Sequence, residues 1–159
     1  MPRDAFEAYN DELVERGEEP FANPRNAAAG TLRQLDPAVV AERPLAVFFF
    51  DVLAWDDGTA ESGAAGSPTR PTTNCGQFDA FDSFGLRRTD RIELVDDIEG
   101  AIEYRDRILN DRDGLNYEID GVVIKVDDRE ACEALGSTSR APRWAFAYKF
   151  PPRTATTTI

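Results

Sequence analysis

The run Tyr117-Glu118-Ile119-Asp120-Gly121-Val122-Val123-Ile124-Lys125-Val126-Asp127 decides how this chain reads. Its crowded β-branched residues predict a strand. Strands this rich in Val and Ile belong in buried sheets, where lysine is among the least welcome residues. Lys125 nevertheless stands between Ile124 and Val126. An ammonium held against an apolar wall needs an anionic partner to stay charged, and a phosphate would serve. Asp120-Gly121 opens the apolar run, and a carboxylate there suits a divalent metal carried by the same phosphate. On an unbroken strand Asp120 and Lys125 have opposite parity, so Gly121 is expected to bulge or bend the strand and bring them together. The competing reading is a hairpin, with Asp120-Gly121 as its turn and Lys125 a solvated edge residue.

The composition narrows the chemistry. A chain of 159 residues, 42% of them hydrophobic, is one ordinary domain or a piece of a larger one. Its longest apolar run, Pro44 to Ala54, is too short to span a bilayer, and the N-terminus carries no secretory pattern, so a cytoplasmic location without a membrane partner is expected. Cys75 and Cys132 alone exclude a disulfide framework or a four-thiolate zinc site within the chain. With no histidine, imidazole catalysis and His metal sites are excluded as well. The net charge of −12 fits a protein that avoids nucleic acid, or an acidic shell suited to a high-salt cytoplasm with basic patches kept for function. Lys125 and Lys149 are the only lysines beside sixteen arginines, which marks two positions where Arg does not substitute.

In chain order, Phe6, Tyr9 and Leu13 predict an amphipathic helix from Pro2 to Gly17. Asn23 is a candidate N-cap and Pro24 a first-turn proline for a second helix. There Arg25 and Arg33 share a side over a thin Ala/Gly surface that phosphate oxygens suit; ordinary surface arginines are the alternative. Pro44 to Ala54 predicts a central strand with core aromatics, and Asp57 to Thr73 a surface loop. A helix over Asn74 to Phe84 is expected to turn Phe78, Phe81 and Phe84 inward. Arg91 to Val95 follows as a half-buried strand, and Asp96 to Leu109 as a helix packing through Ile98, Ile102 and Leu109. Arg112 is near enough in sequence to Asp120 to reach the same phosphate, or to pair with Asp111 or Asp113. A short helix over Arg129 to Leu135 leads to a stretch free of acid, in which Arg140, Arg143, Lys149 and Arg153 form a basic footprint for a polyanion. Within it, Arg143 to Pro151 alternates as a strand, with Arg143, Ala145, Ala147 and Lys149 on one side and Trp144, Phe146, Tyr148 and Phe150 on the other.

Three stretches, Phe21 to Asp36, Tyr117 to Val126 and Arg140 to Pro151, resemble the adenylation domain of NAD-dependent DNA ligases. The resemblance covers nearly the whole chain and implies an α+β nucleotidyltransferase fold, with antiparallel sheets flanked by helices around an adenylate pocket. It implies that Lys125 and Lys149 contact the NAD-derived adenylate, and that Asp120 and Lys149 support catalysis. Asp120 would act through magnesium, while Arg25, Arg33 and Arg112 serve phosphates of the nucleotide and of nicked double-stranded DNA. The family's nucleophile is a lysine in a Lys-x-Asp-Gly motif, which this sequence lacks. The expectation is therefore a partial adenylation domain over residues 1–152, inactive alone, with 153–159 as a linker toward an OB-fold. Zinc and other ligase modules would lie elsewhere and act as partners. The alternative is a remnant that only binds adenylate or DNA, or completes another chain.

Overall fold

Side-chain caps set the starts of most of the α-helices. The structure, a computed structural model, describes residues 1–55 and 70–152, so most of the expected surface loop and the expected linker lie outside the described residues. In order come α1 (Arg3–Glu15), α2 (Pro24–Leu32), α3 (Pro37–Ala41), α4 (Asn74–Ser83), α5 (Ile98–Asp111), a 3-10 turn (Arg112–Gly114), β1 (Gly121–Lys125), α6 (Arg129–Leu135) and β2 (Ala145–Lys149). The chain divides into two compact units, Met1–Ala46 with Asn110–Ile119 and Val47–Leu109 with Asp120–Ile159.

In the first unit α1 buries Tyr9 and Leu13 and ends at Gly17, whose φ of 74° favours glycine. Its N-terminus is tied to the later segment: Arg3 N donates to Asn116 O at 2.9 Å, and Arg3 Nη1 to Asp113 O at 3.0 Å. Hydrogen bonding to Asn116 and to the Ala5 amide holds the Asp4 carboxyl below its ordinary range. Asn23 caps α2 by accepting from Asn26 N at 2.8 Å, with Pro24 in the first turn as expected. The thin face of α2 is used for packing, since a Cβ on Gly30 would lie 3.4 Å from the Phe21 ring. Phe21 stacks on Tyr9, and Arg43 lies over both rings while donating to the buried Thr31 hydroxyl at 3.1 Å.

The second unit holds the α+β part. Thr73 caps α4, and Asp128 caps α6 by accepting from Ala131 N at 2.7 Å. β1 and β2 pair antiparallel in the register Gly121↔Lys149, Val123↔Ala147, Lys125↔Ala145. Backbone bonds from Phe150 N to Asp120 O and from Val126 N to Trp144 O, both 2.8 Å, continue the ladder at each end. Among the described residues this two-stranded ladder is the whole sheet, smaller than the several antiparallel sheets expected.

Four expectations fail, each for a physical reason. Pro44 to Ala54 is not a strand and its aromatics are not core: Phe50 is 70% exposed. Phe49 N bonds Arg87 O, but Val52 N is taken by the Gln77 side chain, so no backbone ladder can propagate. Arg91 to Val95 also lacks a ladder; α5 reaches it through side chains, Tyr104 donating to Arg91 O and Arg107 pairing with Glu93. In α5 the buried residues are Ala101 and Ile108, whereas Ile98 and Ile102 are exposed. Arg105 falls between the two buried positions at helical spacing, lying over the Tyr148 and Phe150 rings, so an arginine disguised the packing stripe. Finally, Phe84 is exposed at the end of α4, whose buried face is Asn74, Gln77, Ala80 and Phe81. Among the described residues no helix is long and apolar enough to cross a membrane.

Gly121 makes no bulge. It lets two backbones approach: a Cβ there would stand 2.6 Å from Tyr148 O and 2.9 Å from Lys149 Cα. Gly121→Ala should therefore destabilise the second unit by about 1–3 kcal/mol, the usual cost of overpacking. Thermal melting checks this, with a Tm several degrees below the parent expected.

Candidate functional site

Residues opposite each other in an antiparallel ladder share a face, as do alternate residues on one strand. The observed register therefore gathers Lys125, Val123 and Gly121 with Ala145, Ala147 and Lys149 on one face. The two lysines stand at its opposite ends, with backbones roughly 14 Å apart along the strands from four steps of about 3.4 Å. Glycine and alanines form most of the floor between them. A flat anionic group laid there would meet a cation at each end.

Each ammonium already has a partner within the second unit. Lys125 Nζ donates to the Phe50 carbonyl at 3.2 Å and lies 5.7 and 5.8 Å from the ring centres of Phe50 and Trp144. These are neutral acceptors, so among the described residues no carboxylate would compete there with a phosphate. Lys149 Nζ donates to Asp120 Oδ2 at 2.9 Å, with the two side chains 64% and 78% exposed. Asp120 thus meets Lys149, not Lys125: with the ladder unbroken, the predicted bend that would have joined Asp120 to Lys125 is absent. The hairpin alternative also fails, because Asp120 and Gly121 lie in a ladder with Phe150 and Lys149. Arg105 Nη2 approaches Lys149 O at 3.4 Å, fixing the strand beneath the lysine from its other face.

The other predicted residues are placed as follows. Arg143 is exposed just before β2, with its backbone N bonded to Gly136 O at 3.0 Å. Arg25, Arg33 and Arg112 belong to the first unit. Arg25 sits in the first turn of α2 and Arg33 caps its far end, so they are not paired near the helix start. Both are exposed, and neither forms an ion pair among the described residues. Arg112 is mostly covered and lies 3.9 Å from Asp113, the pairing weighed as its alternative. No cluster of three or more metal-binding side chains occurs among the described residues. Asp120 is a single carboxylate; it fits magnesium only in the usual manner of phosphoryl transfer, where phosphates and waters supply the remaining ligands.

Sequence reading missed the residues that hold the lysines: Phe50, Trp144 and Arg105 looked like core or surface. Only the isolation of Lys125 in an apolar strand signalled that something must face it.

Comparison with known proteins decides the family. Residues 1–153 match the family described as NAD-dependent DNA ligase adenylation domain. The chain belongs to that family. It is 71% identical over its full length to a DNA ligase of Halorubrum lacusprofundi, covering 22% of that protein. It is 58% identical to a DNA ligase of Haloarcula marismortui, covering all of this chain and 21% of that protein. A DNA ligase of Alkalilimnicola ehrlichii is 47% identical over 97% of the chain and 21% of its own length. The chain thus spans about a fifth of the length of these relatives. The family is NAD-dependent and its fold α+β, as the three motifs implied; the haloarchaeal relatives accord with the acid-rich composition.

An ion pair this exposed contributes little to folding, about 0–1 kcal/mol. Asp120→Asn is accordingly expected to leave the Tm of the ligase chain nearly unchanged. A Tm loss as large as that of Gly121→Ala would show that the pair is structural.

Proposed function

We propose that this chain is the adenylate-binding portion of an NAD-dependent DNA ligase. The whole protein would adenylate itself from NAD, pass AMP to the 5′-phosphate of a DNA nick, and seal the nick with the 3′-hydroxyl. The observation that carries the reading is that both lysines occupy one face, floored by Gly121, Val123, Ala145 and Ala147. In phosphoryl transfer the protein mainly positions groups and stabilises developing charge, which suits fixed ammonium groups at the two ends of a nucleotide site.

In this reading Lys125 leaves the neutral Phe50 carbonyl for a phosphoryl oxygen, and Lys149 shares its charge between Asp120 and the same anion. Asp120 keeps Lys149 aimed; with phosphates bound, it is also the carboxylate offered to magnesium. Arg143 beside β2, together with Arg25, Arg33 and Arg112, is assigned to phosphates of the nucleotide and of the nicked duplex. Neither lysine stands in a Lys-x-Asp-Gly sequence, so the residue that takes the adenylate covalently is assigned to another part of the ligase.

Two measurements test the proposal. AMP should bind the chain, and Lys125→Met or Lys149→Met should weaken it about tenfold or more, the loss expected for one charge-assisted hydrogen bond of about 1.5–3 kcal/mol. Binding that ignores both substitutions would overturn the assignment of the face. Incubation with NAD labelled in its adenylate half should leave the chain unlabelled; stable covalent label on it would overturn the placing of the nucleophile elsewhere.

A further inference from the structure

Behind Lys125 lies a buried amide pair that the adenylate reading does not use. Gln77 is 1% exposed and Asn74 5% exposed, both on α4. Gln77 Nε2 donates to Asn74 Oδ1 at 2.6 Å, and Gln77 Oε1 accepts from Val52 N at 2.9 Å. Asn74 Nδ2 donates to the Val126 carbonyl at 2.6 Å and approaches Cys132 Sγ at 3.5 Å. Asn74 N and Cys75 N add bonds of 2.7 Å to Asp127 O and Asp127 Oδ1.

These bonds close a ring around the lysine. One end of the amide pair grips Val126, the residue after Lys125. The other grips Val52, two residues after Phe50, whose carbonyl receives the Lys125 ammonium. Among the described residues the Phe50 segment has no ladder to hold it; besides the amide pair it is tied by Phe49 N, which donates to Arg87 O at 2.8 Å, and by Asp51, 3.8 Å from Arg129. A buried amide is costly to leave unpaired, so two coupled amides make a stiff spacer. Its length sets how far the Phe50 carbonyl stands from the end of β1.

We propose that Gln77, acting through Asn74, is a positioning residue for Lys125. It fixes the segment that parks the ammonium, and so the direction from which that ammonium meets a phosphate. The phosphate part of this inference rests on the adenylate reading above; the positioning part does not.

The test uses the scarcity of lysine. The full 159-residue chain made with 13C,15N-labelled lysine gives two side-chain Cε–Nζ correlations, assigned with Lys125→Arg and Lys149→Arg. Gln77→Met keeps the volume and removes both hydrogen bonds; it should move the Lys125 correlation and leave that of Lys149 within its line width. A purely structural role would lower the Tm without moving Lys125 at temperatures where the variant is folded, and that result overturns the proposal, as does equal movement of both signals. Gln77→Glu provides a second arm should Gln77→Met not fold. At pH 5 a buried carboxyl is protonated and both donates and accepts as the amide does. The Lys125 signal should then coincide with the parent, and depart from it as the carboxyl ionises; a signal indifferent to that ionisation overturns the proposal. Adding AMP to the parent separates the two readings: unmoved lysine signals would sink the adenylate assignment while leaving the ligand-free comparison decisive for Gln77.

Discussion

The second unit depends on the closeness of two backbones. Gly121 has no side chain to hold Tyr148 and Lys149 away, and the ladder from Asp120 to Val126 runs without interruption because of it. An unbroken ladder fixes parity, and parity puts Lys125 and Lys149 on the same side. A single inserted residue in either strand between them would turn one ammonium to the opposite face. The constraint that makes a shared anion site possible is therefore steric before it is electrostatic.

The surrounding side chains act on this ladder from different directions. Arg105 braces the face away from the lysines by covering Tyr148 and Phe150. The paired amides of α4 reach the end of β1 and the Phe50 segment together. Cys132 contributes as an inert small group, its thiol pushed up by burial and its sulfur donating to the Val126 carbonyl. Polar groups in this unit are thus used to set distances, while much of the apolar surface, Phe50 and Leu53 among it, faces outward.

What was legible in the sequence follows from how local the governing physics is. The cap at Asn23 and the stop at Gly17 depend on neighbours a few residues away, and they were readable. The alternation of Ala145, Ala147 and Lys149 was readable for the same reason. Pro44 to Ala54 was not: whether an apolar run becomes a strand depends on a partner's free backbone groups, which no single stretch encodes. The stripe of α5 was misread because Arg105 buries its stem and stacks its head on aromatics, so a charged residue does the work of a hydrophobe. Asp120 was given the wrong neighbour, since the pairing Gly121↔Lys149 is set by tertiary register. The family, by contrast, was legible outright, because three long motifs carry far more information than any periodicity.

The contact between Lys149 and Asp120 has a consequence in concentrated brine, the medium that this acid-rich composition suits. There the screening distance shrinks to about 3 Å at 1 M salt, so a charge is felt only by what it touches. At 2.9 Å the carboxylate is still in touch, whereas a polyanion approaching through solvent is not. Under such conditions the anion proposed for this face would not be drawn in from afar; recognition there would be by handshake, with shape at the floor counting for more than the sum of charges around it.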